Sequence, residues 1–251
     1  MNNAIIPEIG NTLDIGGIEL YYEYFGKNTG NPTIIFESGY GCPLTYWNSI
    51  REEVSNLTNV FMYNRSGIMN STKDERHRHS QQNIENLRIL LRKANIMPPY
   101  VFVGHSFGGI NVRLYASSYP EEVVGVILLD PSHEDQHKKM VHLFKKEVQE
   151  DYYKGFEDKK SLSDFEESFE QVRCSEFPNN IPLTVLTGGK QPHHSPESMS
   201  VWMEFQQNIA KLSKNSKHLI LEDCGHAVHI DQPEIVTREI QNMLEKINID
   251  K

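Results

Sequence analysis

The stretch "FVGHSFGGINV", residues 102–112, runs from apolar residues to a single hydroxyl set between glycines, then into residues that suit a helix. Its left half continues the run "YVFVGHS" (100–106), which reads as a buried strand. Its right half reads as a helix through Tyr119 that stops at Pro120. Ser106 therefore stands where a strand turns sharply into a helix. Such a turn brings two backbones close together, and Gly104 and Gly108 remove the Cβ atoms that would clash there.

The same alternation extends outward on both sides. Upstream, "IELYYEYFG" (18–26), 32–38 and 59–65 have strand character, and 80–96 carries Ile84, Leu87, Leu91 and Ala94 at helical spacing. Downstream, 123–130, 183–189 and 217–223 read as strands, and a helix from about Pro233 to Ile247 closes the chain. Strands alternating with helices imply an α/β fold with a mostly parallel central sheet flanked by helices. Segment 134–180 interrupts the alternation with few strand signals and many charges. Met140, Phe144, Val148 and Tyr152 share one helical face, Leu162, Phe165, Phe169 and Val172 another, and Lys154-Gly155 lies between them. This predicts a helical cap or lid inserted into a core of 1–133 and 181–251. It would lie over the sheet's C-terminal edge, where open α/β sheets bind ligands. The alternative is a helical excursion packed on the side of the core.

A chain of 251 residues with 38% hydrophobic and 24% charged residues can bury a core under a soluble surface. Its formal net charge of −9 argues against nucleic acid as a partner, since nothing would offset phosphate repulsion. The cluster "KDERHRHS" (73–80) interleaves bases with acids and reads as a solvated loop, with an anion site as the alternative. The first residues, "MNNAIIPEIGNTLDIGG", show neither a basic n-region nor a long apolar h-region, so no signal peptide is expected. The longest apolar stretch, "VVGVILL" (123–129), is too short for a membrane span. Cys42, Cys174 and Cys224 are odd in number and widely spaced. They suggest neither a disulfide framework nor a zinc site, and reduced thiols in a cytoplasmic protein are the expectation.

"GHSFG" (104–108) fits the pattern G-x-S-x-G. With Gly and Ser each near 7% of residues, the pattern arises by chance in roughly one chain of this length in ten, so context must decide. Strand before and helix after is the context of a nucleophile elbow, in which a strained turn lifts Ser Oγ to where a base can reach it. The Phe107 N–H that follows begins a helix and can donate to a developing oxyanion. The alternative is a Gly-rich turn with a passive serine.

Four places, "ESGYG" (37–41), "GHSFGG" (104–109), "LLDPSHED" (128–135) and "CGHAVHIDQPE" (224–234), together give a chain that resembles the α/β-hydrolase superfamily, in its serine-nucleophile, esterase-like branch. The resemblance runs from about Ile18 to Ile247. It implies the α/β-hydrolase fold and a Ser–acid–His triad acting on a small-molecule acyl substrate without metal or organic cofactor. Within it Ser106 is the nucleophile and His226, in "CGH" after the last strand, is the base. His229 is the local rival, suited to supporting the loop. His193 and His194 form a loop pair with no third metal ligand in sight, and His105 is expected to pack or hydrogen-bond beside the elbow. Many relatives carry the acid after the strand that here ends in "LTVLTGG" (183–189), but "KQPHHSPE" (190–197) offers no carboxylate before Glu197. The acid is therefore assigned to Asp130, one strand earlier, with Glu134 and Asp135 as rivals. Ser38-Gly39 replaces the family's usual His-Gly, which makes the Tyr40 N–H the second oxyanion donor beside that of Phe107. Tyr40, Trp47, Phe144 and Phe165 are candidate pocket residues, core packing being the alternative for Tyr40 and Trp47. A carboxylic ester is the expected substrate. Lactonase, thioesterase, aminopeptidase or C–C bond hydrolase activity, and a non-catalytic ligand-binding role, share the same signature.

Overall fold

The computed structural model of the chain describes residues 5–156 and 158–249. Residues 1–4, part of the stretch read for a leader, lie outside the described residues, as do Glu157 of the insertion and the last two residues.

Eight strands form one sheet: β1 (Ile5–Asp14), β2 (Glu19–Lys27), β3 (Thr33–Glu37), β4 (Asn59–Tyr63), β5 (Tyr100–His105), β6 (Val123–Leu129), β7 (Leu183–Gly188) and β8 (Ser216–Leu221). Their order across the sheet is β1-β2-β4-β3-β5-β6-β7-β8. From β4 through β8 all neighbours are parallel, while β1 and β2 join antiparallel at one edge. Every residue of β3, β4, β5 and β7 is buried, which is why these strands read as unbroken apolar runs: helices cover both faces of a parallel sheet. β8 is an edge strand and its side chains are partly exposed.

The described helices are α1 (Arg51–Ser55), α2 (Ser80–Lys93), α3 (Gly108–Ser118), α4 (Gln136–Lys139), α5 (Lys146–Lys154), α6 (Lys159–Arg173), α7 (Pro196–Ala210), α8 (Val228–Asp231) and α9 (Pro233–Ile249). One core layer packs α2, α3 and the apolar face of α6 (Phe165, Phe169 and Val172) against the sheet. The opposite layer packs Trp47, Val54 and the α9 residues Val236, Ile240 and Met243. A smaller cluster joins Met140, Val141 and Phe144 to Trp202 and Phe205 of α7. Among the described residues no helix is long and apolar enough to cross a membrane.

Three helices, α4 to α6, fall between β6 and β7. The segment 73–80 is a loop with Lys73, Glu75, Arg76 and His77 exposed, as expected, but it is anchored to α6. Asp74 is buried, the His77 ring nitrogen Nδ1 lies 2.7 Å from Asp164 Oδ1, and the Arg78 amide donates to Asp164 Oδ2 at 2.8 Å. The Ser80 amide donates to Ser168 Oγ and the Gln81 amide to Gln171 Oε1, each at 2.8 Å. The first turn of a helix leaves amides without intrahelical partners. Here Asp164, Ser168 and Gln171, on one face of α6, accept from amides at and just before the start of α2.

β1 and α7 are elements the sequence reading did not anticipate. β1 shifts register between Ile6 and Ile9 where it pairs with β2, so it lacks a regular period-two pattern. α7 carries clear local signals: Ser195 caps it in a reciprocal capping box with Ser198, and Pro196 opens it.

Candidate active site

Ser106 sits between β5 and α3 with φ of +54°, a conformation that costs a non-glycine residue of order 1–3 kcal/mol. Close packing enforces it. A Cβ on Gly104 would lie 2.9 Å from Val112 Cγ2, and one on Gly108 only 2.2 Å from the Glu37 carbonyl oxygen. The Ser106 amide donates to the Leu129 carbonyl at 3.1 Å, and its own carbonyl accepts from Gly109 at 2.9 Å and Ser132 at 3.0 Å. The turn is thus pinned to the end of β6, and the side chain stays partly accessible.

Asp130 follows β6 directly and also has a left-handed backbone, φ +43°. It is fully buried. Its Oδ1 accepts from the Gly188 amide at 3.1 Å and from Trp202 Nε1 at 3.0 Å. Its Oδ2 accepts from Gln191 Nε2 at 2.8 Å and lies 2.6 Å from His226 Nδ1. The other donors are neutral, and His226 is the one titratable partner. Gln191, in the segment that carries no early carboxylate, and Trp202, on the unanticipated α7, both hold this acid. The period Trp202, Phe205, Ile209 after a Ser-Pro start was the available signal for them.

His226 shares with Ser106 a cavity of about 300 Å³, whose wall includes Phe144, Tyr152, His194 and Trp202. The loop bearing His226 is tied to the elbow, because His105 Nε2–H donates to the His226 carbonyl at 3.0 Å. Burial holds the His105 imidazole pKa well below its usual value, so the ring is neutral. His229 is also buried, pushed down to about 4 chiefly by desolvation, and packs 4.5 Å from the Trp47 ring. It supports the loop from behind.

The loop after β3 passes against Ser106: a Cβ on Gly39 would lie 3.4 Å from Ser106 Cβ. This brings Tyr40 beside Phe107, with their rings edge to face at 5.5 Å. The loop rests on a buried network that the sequence reading missed. Glu37 accepts from Tyr63 OH at 2.6 Å, Arg65 Nη1 at 2.8 Å and Asn111 Nδ2 at 2.7 Å. Arg65 in turn donates to the carbonyls of Ser38, at 2.6 Å, and Gly39.

The pocket candidates separate. Phe144 lines the cavity of Ser106 and His226. Tyr40 and Phe165 instead line a second space of about 120 Å³, together with Phe107, Arg65, Arg78 and Asn83. Trp47 is corrected from pocket to core. It is fully buried behind the loop, where its indole donates to Ser38 Oγ at 2.9 Å and its ring stacks near Phe36. The rival acids are engaged elsewhere. Glu134 accepts two bonds from Arg113, at 2.7 and 3.1 Å, and Asp135 pairs with Arg173 and with Lys139. Glu197 is exposed on the first turn of α7.

Residues 32–164 match the family model described as the alpha/beta hydrolase fold, which covers more than half of the chain, and the protein belongs to this family. A protein of Bacillus subtilis strain 168 named "Uncharacterized protein YqjL" is 27% identical over 230 residues, covering 90% of this chain and 88% of its own. Among solved structures, a putative lipase of Acinetobacter baumannii AYE superposes with a TM-score of 0.69 at 19% identity, over 97% of this chain and 93% of its own. A thermophilic esterase of Thermogutta terrifontis gives 0.65 at 21%, over 96% and 99%.

Proposed function

We propose that this α/β hydrolase is a serine hydrolase that cleaves a carboxylic ester, or a related acyl bond, of a small molecule. The observation that carries the reading is the 2.6 Å approach of His226 Nδ1 to the buried Asp130, on a ring that shares its cavity with the strained Ser106. The lipase and esterase among the solved relatives are consistent with it.

In the proposed reaction His226 takes the Ser106 proton through Nε2 as Oγ attacks the acyl carbonyl. The Nδ1–H bond to Asp130 fixes the tautomer, and the carboxylate stabilises the imidazolium without accepting the proton. The Phe107 and Tyr40 amides donate to the tetrahedral oxyanion. The imidazolium protonates the leaving oxygen, and water releases the acyl group by the reverse route. Side chains, backbone amides and water suffice for this scheme. Segment 134–180 serves as the cap, supplying Phe144 and Tyr152 to the cavity wall. Three free thiols suit a reducing compartment such as the cytoplasm.

The test is labelling by a fluorophosphonate together with turnover of short p-nitrophenyl esters. The wild-type chain is expected to label at Ser106 and to turn over. Ser106→Ala should lose both, retaining only the residual rate of an oxyanion site lacking its nucleophile. A Ser106→Ala protein with near wild-type turnover would overturn the assignment.

A further inference from the structure

Each of the two amides proposed to hold the oxyanion belongs to a peptide unit whose carbonyl accepts two hydrogen bonds. The Phe107 N–H shares its peptide with the Ser106 carbonyl, which accepts from the Gly109 amide at 2.9 Å and the Ser132 amide at 3.0 Å. The Tyr40 N–H shares its peptide with the Gly39 carbonyl, which accepts from the Cys42 amide at 3.2 Å and from Arg65 Nη2. The first carbonyl is held by backbone alone. The second is held in part by a charged side chain.

That side chain is firmly seated. Arg65 is buried, and its Nη1 donates to the Ser38 carbonyl at 2.6 Å and to Glu37 Oε1 at 2.8 Å. One planar fork therefore spans two successive carbonyls of the loop and the carboxylate that ends β3. Glu37 is itself fixed by Tyr63 OH at 2.6 Å and Asn111 Nδ2 at 2.7 Å. The guanidinium cannot turn without giving up bonds to buried partners.

A trans peptide is planar, and its C=O and N–H point in opposite directions. A donor that fixes the carbonyl also fixes the line of the N–H on the far side. Hydrogen bonds in series polarise one another, and an ionised donor gives a bond roughly twice as strong as a neutral one.

We infer that Arg65 is a positioning residue for the oxyanion site, acting through the Gly39–Tyr40 peptide: it aims the Tyr40 N–H and strengthens it as a donor. Glu37 serves by holding the guanidinium in place. This rests on the serine hydrolase reading and adds to it a side chain that never touches substrate.

Removing Arg65 alone would leave Glu37 buried without its cation. The test therefore pairs Arg65→Met with Glu37→Gln, which removes both charges at similar size. The comparison is Glu37→Gln alone, which keeps the Arg65 bonds to both carbonyls. On p-nitrophenyl acetate the pair variant should lose about tenfold to a hundredfold in kcat beyond Glu37→Gln, short of the roughly 10²–10³ of a donor lost outright. KM should change little, because the oxyanion exists only beyond the ground state. Arg65→Lys keeps a cation against Glu37 without the fork, and should lose kcat in the same direction. A second readout needs no turnover. In ¹⁵N-labelled resting protein the Tyr40 amide nitrogen should move upfield in the pair variant and in Arg65→Lys, while that of Phe107, whose carbonyl is held by backbone, stays. Folded variants that match Glu37→Gln or wild type in kcat, or leave the Tyr40 resonance unmoved, would overturn the proposal even if ester turnover is robust. So would both resonances moving together, the mark of a repacked loop. A Tyr40 shift as stated in a wild-type background without ester turnover would uphold the hold of Arg65 on the peptide and sink the hydrolase reading.

Discussion

Two buried carboxylates flank the elbow strand. Glu37 ends β3 and Asp130 follows β6, and these are the two strands on either side of β5. Both are essentially fully buried, and every oxygen of both is hydrogen-bonded. They differ in who holds them. Glu37 faces the Arg65 guanidinium, so its charge is neutralised on the spot and the pair braces the loop after β3. Among the described residues Asp130 meets no lysine or arginine. Its donors are an amide, an indole, a glutamine and the His226 ring, so in the proposed reaction its charge is available to the imidazolium. The partner, rather than residue type or burial, separates a carboxylate that serves chemistry from one that serves architecture. Glu134 with Arg113, and Asp135 with Arg173 and Lys139, fall on the architectural side.

The largest expected effect tests the carboxylate proposed as catalytic. Asp130→Asn keeps the size but presents an amide toward His226 Nδ1, favouring the wrong tautomer. Turnover should fall by about 10⁴, with substrate affinity little changed. Steady-state kinetics on a p-nitrophenyl ester measures it, and a normal rate would erase the contrast with Glu37.

Glu37→Gln should act on stability first. It strands the Arg65 guanidinium in a buried site, a kind of change that costs about 3–5 kcal/mol. Urea unfolding should show the loss, while turnover per folded molecule falls far less than in Asp130→Asn. A 10⁴-fold loss of turnover in well-folded Glu37→Gln would place both carboxylates on the catalytic side.

The smallest effect sharpens the rule through pH. Burial alone would raise the Glu134 pKa, but the charge and hydrogen bonds of Arg113 outweigh it and hold the group at about 2. Its pKa is thus below that of the unfolded chain, near 4.3. The stability it contributes is full above that value and is lost as pH falls through about 2. Glu134→Gln should therefore be less stable than wild type at pH 7, and the gap between their urea midpoints should narrow steadily below about pH 4.5. A gap that is constant down to pH 2.5 would mean that the Glu134 charge contributes nothing.

This contrast also marks what could be read from the chain. The places of Ser106 and Asp130 at strand ends were legible because β5 and β6 are mostly apolar and are each followed by a polar residue. The approach of His226 to Asp130 was legible from its place after the last strand. Glu37 stood in plain view in "ESGYG" but gave no signal of its role, since Arg65, its partner, lies 28 positions away on a loop. Gln191 was noticed only for not being a carboxylate. Trp47 misled because an aromatic ring near the loop after β3 suits a pocket as well as a core, and only packing behind Ser38 decides between them.

The clasp between α6 and the start of α2 bears on how such proteins can be recombined. Segment 134–180 enters and leaves the chain between two neighbouring strands, so it looks like a cassette that could be exchanged for another family member's insertion to transplant selectivity. Yet Asp164, Ser168 and Gln171 complete the opening turn of a core helix more than 80 residues earlier. Cutting out the insertion alone would leave that turn with bare amides. A functional graft must carry residues 77–81 along with it, so the unit of exchange is discontinuous in the gene.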